Sequence, residues 1–158
     1  MLILKISGGI LLILTGGISA FSLCRYCRKR MDTLDGFISL LQYIKGQVEC
    51  YARPIDDIIS SLPPDLLRYC NCPTGANGLD ELIDESRIYL DRESLRQLTA
   101  FAGEFGSTFR EEQVQRCEYY ASSLRERRQV VAERLASEMR SGCAVCICVT
   151  VSLAIILW

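Results

Sequence analysis

The sequence predicts an all-α protein, a helical bundle domain flanked by N- and C-terminal transmembrane helices. Three observations lead there. Residues 6–24 and 142–158 carry no charged side chain, and all 19 acidic residues lie between them. In that middle section apolar residues recur at three- and four-residue spacing, with no strand-like alternation. The chain therefore divides into a transmembrane anchor over 1–24, a basic juxtamembrane stop over 25–30, a helical domain over 31–141 and a second transmembrane helix over 142–158.

The first anchor, "ISGGILLILTGGISAFSLC", has the length of a bilayer crossing, which takes roughly 20 apolar residues at about 1.5 Å of rise each. Its glycines, Gly8, Gly9, Gly16 and Gly17, weaken a soluble helix but are common in membrane helices. Gly9, Thr15 and Gly16 can form a small-residue face for a neighbouring helix. A cleaved signal peptide is the main rival. It would place its cations before the apolar run and a small-x-small site after it. Here Arg25, Arg28, Lys29 and Arg30 follow the run, and Leu23 precedes Cys24, so an uncleaved anchor fits better.

The second apolar stretch, "GCAVCICVTVSLAIILW", is at the short edge of the spanning range and includes Trp158, a residue type of membrane interfaces. A buried core helix is the alternative. Orientation follows from the positive-inside rule. Arg25, Arg28, Lys29 and Arg30 flank the first span, and Arg134 and Arg140 precede the second. The middle section is thereby expected in the cytoplasm and both ends outside. In reducing cytosol Cys50, Cys70, Cys72 and Cys117 would stay thiols.

Within the middle section, Leu34, Phe37, Ile38, Leu41, Ile44, Val48 and Tyr51 define one helix. A second is expected to start at Pro54, with Ile55, Ile58, Ile59 and Leu62 on one face, and to stop at Pro63-Pro64. "YCNCPTGANG" is the turn-rich stretch, preceded by a short helical turn over 65–69. Two further helices carry Leu79, Leu82, Ile83 and Leu90, then Leu95, Leu98, Ala102 and Phe105 up to a stop at Gly106. The last helix opens on a capping-box pattern, Thr108 with Glu111. Val114, Cys117, Ala121, Leu124, Val131 and Leu135 form its seam, interrupted by Arg128. No glycine or proline intervenes before Gly142, so this helix is expected to run on into the second apolar stretch. Such a seam packs inside a bundle or, as the lesser alternative, in a coiled coil with another chain.

Catalytic constellations are hard to find. Histidine is absent, which removes the commonest general base and metal ligand. There is no glycine-rich phosphate loop. Adjacent carboxylates such as Asp56-Asp57 and Glu111-Glu112 point about 100° apart on a helix and are better read as helix starts. "RERR", residues 125–128, is flanked by Glu118, Glu126 and Glu133, which favours ion pairs on the helix surface over nucleic acid. Nine cysteines make an odd count. Cys24-x-x-Cys27 with Cys70-x-Cys72 is a weak zinc pattern, and a dithiol redox role would want a βαβ context that is missing. A membrane-bound dithiol or metal protein built on Cys24 and Cys27 is the alternative function; the expectation is no cofactor and no metal.

The whole layout resembles the stage III sporulation protein AB family of endospore-forming bacteria. The local matches are "KGQVECYARPIDDII", residues 45–59, and "LTAFAGEFGSTFREEQVQRC", residues 98–117. Gly46, Val48, Pro54, Ile55, Leu98, Phe101, Gly106 and Gln113 match or closely substitute the family's pattern. Gln47 stands where the family has an acid, Cys50 where it usually has Tyr, and Phe105 where it has Leu. The resemblance implies a non-enzymatic platform component of a secretion-like channel between mother cell and forespore, sited in the mother-cell membrane around the forespore. Its helical domain would be similar to that of type II secretion F platform proteins. By that analogy it would dock a secretion-type ATPase, other channel subunits or copies of itself, with no nucleic acid among its partners. The motif residues Gly46, Gln47, Val48, Pro54, Ile55, Phe101, Gly106 and Gln113 are the candidate binding or structural positions. Arg25, Arg28, Lys29 and Arg30 are the candidate topology determinants.

Overall fold

The computed structural model describes the backbone of residues 2–51, 55–72, 75–105 and 109–157. Side chains are described within those ranges except at 2–14, 55–56, 143, 146, 150 and 153–157. Among the described residues the chain is all-α, as expected, and has no strand. Its helices are α1 (Leu2–Tyr51), α2 (Ile55–Ser60), α3 (Pro64–Tyr69), α4 (Leu79–Ser86), α5 (Arg92–Glu104) and α6 (Arg110–Leu157). No helix among the described residues is long and apolar enough to cross a membrane.

The chain forms two compact units: Met1–Arg28 with Ala132–Trp158, and Lys29–Val131. The first division falls at the basic stop. The second falls ten residues before the expected boundary at 141, because the charged segment after Val131 belongs with the terminal unit. Leu135 is buried there. α6 passes Gly142 without a break.

In the Lys29–Val131 unit, α1 is the central helix. Thr33, Leu34, Gly36, Phe37, Ile38, Leu40, Leu41, Ile44 and Val48 are all buried. At 100° per residue these positions cover roughly 200° of the helix, wider than one amphipathic stripe. That breadth explains why Leu40, off the three-and-four series, is fully buried. Tyr51, on the series but at the helix end, is exposed.

The remaining core comes from Ile58, Ile59, Leu62, Cys70, Cys72, Leu79, Leu82, Ile83, Leu90, Leu98 and Phe101, closed by Cys117, Tyr120, Ala121 and Leu124 of α6. Each fully buried Leu, Ile or Phe favours the folded state by about 1.5–3 kcal/mol over leaving it exposed.

Local features set the connections. Pro64 occupies the first turn of α3, where a missing N–H costs nothing. α3 ends in a Schellman cap: the Cys72 N–H donates to the Leu67 carbonyl at 2.8 Å and the Asn71 N–H to that of Arg68 at 3.2 Å. Asn71 takes the left-handed conformation this cap requires, φ 58°. Glu81 reaches back to accept from the Asn77 N–H at 2.8 Å, supporting the start of α4. Gly36 lets α3 approach α1 closely; a Cβ there would lie 2.8 Å from that of Tyr69. Pro54, Gly106 and Thr108, which carry the expected start of α2, the stop after α5 and the capping box, lie outside the described residues.

The terminal unit has the opposite dressing. Along its described parts Ile18, Phe21, Val145, Ile147, Val149 and Val151 are all at least half exposed, Phe21 at 70%. α1 and α6 touch within it: a Cβ on Gly142 would come within 2.9 Å of Leu23 Cδ2. Ser19 Oγ donates to the Thr15 carbonyl at 2.9 Å, satisfying its hydroxyl within its own helix.

Candidate functional site

Gly46, Gln47 and Val48 lie on the last turns of α1 and Gln113 on the first turn of α6, two helix ends that the Arg110–Val48 hydrogen bond joins. Gly46 and Gln47 are half-buried on the last turns of α1, and Val48 is in the core. Arg110, at the first position of α6, donates from Nε to the Val48 carbonyl at 3.1 Å. That carbonyl lies in the last turn of α1, so the guanidinium tethers one helix end to the other. Lys45 Nζ meets Glu118 Oε2 at 3.2 Å, a second tie between α1 and α6. Gln113 is half-buried one turn into α6.

α5 contributes the packing beneath. Phe101 is fully buried, with its ring centroid 4.9 Å from Phe105 and 5.5 Å from Tyr120. The Tyr120 hydroxyl donates to Glu104 Oε2 at 3.2 Å, and Arg116 pairs with the same carboxylate at 3.1 Å and with Glu112 at 2.9 Å. Burial, followed by the neighbouring Glu104 carboxylate, pushes the Tyr120 phenol above its usual pKa. Val48 and Phe101 are thus core residues. Gly46, Gln47 and Gln113 are the half-buried members on the described surface. Pro54 and Gly106 lie outside the described residues, as does the side chain of Ile55.

The basic stop also divides. Arg25 and Arg28 are exposed. Lys29 and Arg30 are half-buried: the Lys29 ammonium stands 5.7 Å from the Tyr89 ring centroid, and Arg30 Nε donates to the Tyr89 carbonyl at 3.3 Å. "RERR" is used differently from the expectation. Arg127 pairs with Asp91 at 2.7 Å, and Arg128 makes a two-point contact with Asp35, one bond at 2.8 Å. Their partners come from other elements rather than from Glu126 or Glu133, and Glu118 serves Lys45 instead. The interruption of the α6 seam at Arg128 is therefore a helix-to-helix contact.

Comparison of the chain with protein-family models, with characterised proteins and with solved structures returns no match.

Among the described residues no three Cys, Asp or Glu side chains come together as a metal-holding group. Cys24 is exposed while Cys27 is buried, so one helix presents them to different surroundings. Cys70 and Cys72 flank the left-handed Asn71, and the cap turns both thiols into the core. Burial, then the neighbouring Cys72, pushes Cys70 up to about 12, and burial does the same to Cys117. Such thiols are protonated and unreactive at neutral pH. Two features of this unit have no mark in the sequence: the Arg110 tether and a groove lined by Lys29, Asp32, Asp65, Arg68 and Tyr69. An arginine opening a helix carries no distinctive signal, and the groove joins residues more than thirty positions apart.

Proposed function

We propose that this chain is a non-enzymatic, membrane-anchored platform of a sporulation secretion-like channel complex. Its apolar ends hold it in the mother-cell membrane around the forespore. Its Lys29–Val131 unit lies in the cytoplasm and docks a secretion-type ATPase. The observation that supports this reading most is the contrast in apolar side chains between the units: a large buried core in Lys29–Val131, with Ile88 and Phe109 among its exposed exceptions, against successive exposed apolar residues along the described ends of α1 and α6. Outward apolar faces on helices suit a lipid environment. The cations at 25–30 sit on the side that the positive-inside rule assigns to the cytoplasm. The end formed by Gly46, Gln47 and Gln113, ringed by exposed ion pairs, is the surface offered to the ATPase, and its polar character suits a reversible contact.

Two experiments test it. Cys50 is exposed in the Lys29–Val131 unit, whereas Cys70 and Cys117 are too buried to report on sidedness. In a variant keeping only Cys50, an impermeant maleimide should label the chain after permeabilisation and not in intact cells. Labelling from outside would contradict a cytoplasmic domain. Full-length chain extracted from sporulating membranes should retain the ATPase, and a Gln47→Ala, Gln113→Ala variant should retain less. Equal recovery with both would move the docking surface elsewhere.

A further inference from the structure

The groove on α1 and α3 holds charges of both signs that do not neutralise each other. Lys29 and Asp32 line it from α1, and Asp65, Arg68 and Tyr69 from α3, around about 380 Å³. The side chains of Asp32, Asp65 and Arg68 make no ion pair or hydrogen bond with any described residue. Elsewhere in the unit some opposite charges do close on one another: Arg127 on Asp91 at 2.7 Å, Arg116 on Glu104 at 3.1 Å, Lys45 on Glu118 at 3.2 Å. Here two cations and two carboxylates face a shared open space.

We propose that this groove binds a zwitterion pairing a phosphate with a primary ammonium, the headgroup of a phosphatidylethanolamine-type lipid. The lining decides the ligand's charge. A lone anion would meet two carboxylates, and a lone cation would meet Lys29 and Arg68. A ligand carrying both charges satisfies all four. Carboxylates hold a primary ammonium through charge-assisted N–H donors, which a quaternary ammonium lacks. A quaternary group is held instead by an aromatic cage, and among the described lining residues Tyr69 is the one aromatic. The lipid source rests on the membrane reading above. In the sequence Lys29 follows Cys24, the end of the charge-free stretch, by only five residues, so the groove's first cation belongs to the segment that flanks the expected anchor.

The test uses full-length chain in mild detergent, offered equal amounts of phosphatidylethanolamine, phosphatidylglycerol and phosphatidylcholine, with retained lipid read by native mass spectrometry. Phosphatidylethanolamine should be retained about fivefold over the other two, the scale of one or two exposed charge contacts. Asp32→Asn with Asp65→Asn should erase that preference, and Lys29→Gln with Arg68→Gln should abolish retention, both with unchanged thermal unfolding. Equal retention of phosphatidylglycerol, or an acid-site variant that keeps the preference, would overturn the proposal. So would binding of free phosphoethanolamine without retention of the lipid, which would assign the groove to a soluble ligand. Alkaline carbonate extraction separates this from the membrane reading. Release of the chain from membranes contradicts both readings, whereas a retained chain without headgroup preference contradicts the groove alone.

Discussion

The two units of this chain share helices α1 and α6 yet arrange their apolar residues in opposite ways. In Lys29–Val131 the core side chains Phe37, Leu82 and Phe101 have no exposure, Ile88 and Phe109 stand out on the surface, and charges such as Glu118 and Arg96 face outward. In the terminal unit Phe21, Ile18 and Ile147 are more than 60% exposed. Hydrophobicity alone does not separate the two, since both are rich in Leu, Ile and Val. Charge does. Where charged residues alternate with apolar ones at helical spacing, a helix has a face to bury; where charge is missing all round, it has no polar face to turn outward.

Truncating a phenylalanine in each unit should separate the two most widely. Phe37→Ala or Phe101→Ala should cost about 3–5 kcal/mol, enough to blunt or abolish cooperative thermal unfolding of the helical unit followed by circular dichroism. Phe21→Ala should leave that transition within about 0.5 kcal/mol. A Phe21 effect as large as that of Phe37 would mean the ends are packed like a core.

A smaller effect separates two glycines of α1. Gly36→Ala puts a methyl against the Cβ and backbone of Tyr69 and should cost about 1–3 kcal/mol. Gly46→Ala meets nothing within 4 Å and should stabilise by about 0.5–1 kcal/mol through helix propensity. Chemical denaturation of the two variants should show midpoints moving in opposite directions.

The third contrast is with pH. Burial alone would raise the Asp91 carboxyl, but hydrogen bonds from Ser94 and Arg127, with the Arg127 charge, outweigh it and hold it below its usual range. A depressed folded-state pKa stabilises above the unfolded value of about 3.9, and that stability is lost as pH falls through the folded value. Asp91→Asn should cost about 1 kcal/mol at neutral pH and flatten the acid limb below about pH 4. Arg134 and Glu138, paired at 2.9 Å in the terminal unit, are well exposed, so Arg134→Ala should change helical-unit stability by less than about 0.5 kcal/mol.

The bundle segments and most of the core could be read from residue spacing, because each bundle helix buries a periodic face; that the expected anchor, the basic stop and the first bundle helix form one helix, Leu2–Tyr51, could not. Leu34, Phe37, Ile44, Leu82, Leu98 and Leu124 all fell where the spacing put them. What spacing could not give is pairing between distant elements. Arg128 looked like a break in a seam until Asp35 stood opposite it. The C-x-C of Cys70 and Cys72 looked like chemistry and is the burial pattern of a helix cap. Gly36 is one glycine among eleven until the approach of Tyr69 gives it a reason.

The measurement that bears most directly on the proposed reading is site-directed spin labelling of the full chain in liposomes. Labels at Phe21, Val149 and Cys50 would each sit in a background free of other cysteines, with collision rates read against oxygen and a water-soluble nickel chelate. Phe21 and Val149 should be accessible to oxygen and shielded from the chelate, and Cys50 should show the reverse. Chelate access at all three positions would place the apolar ends in water and contradict the account.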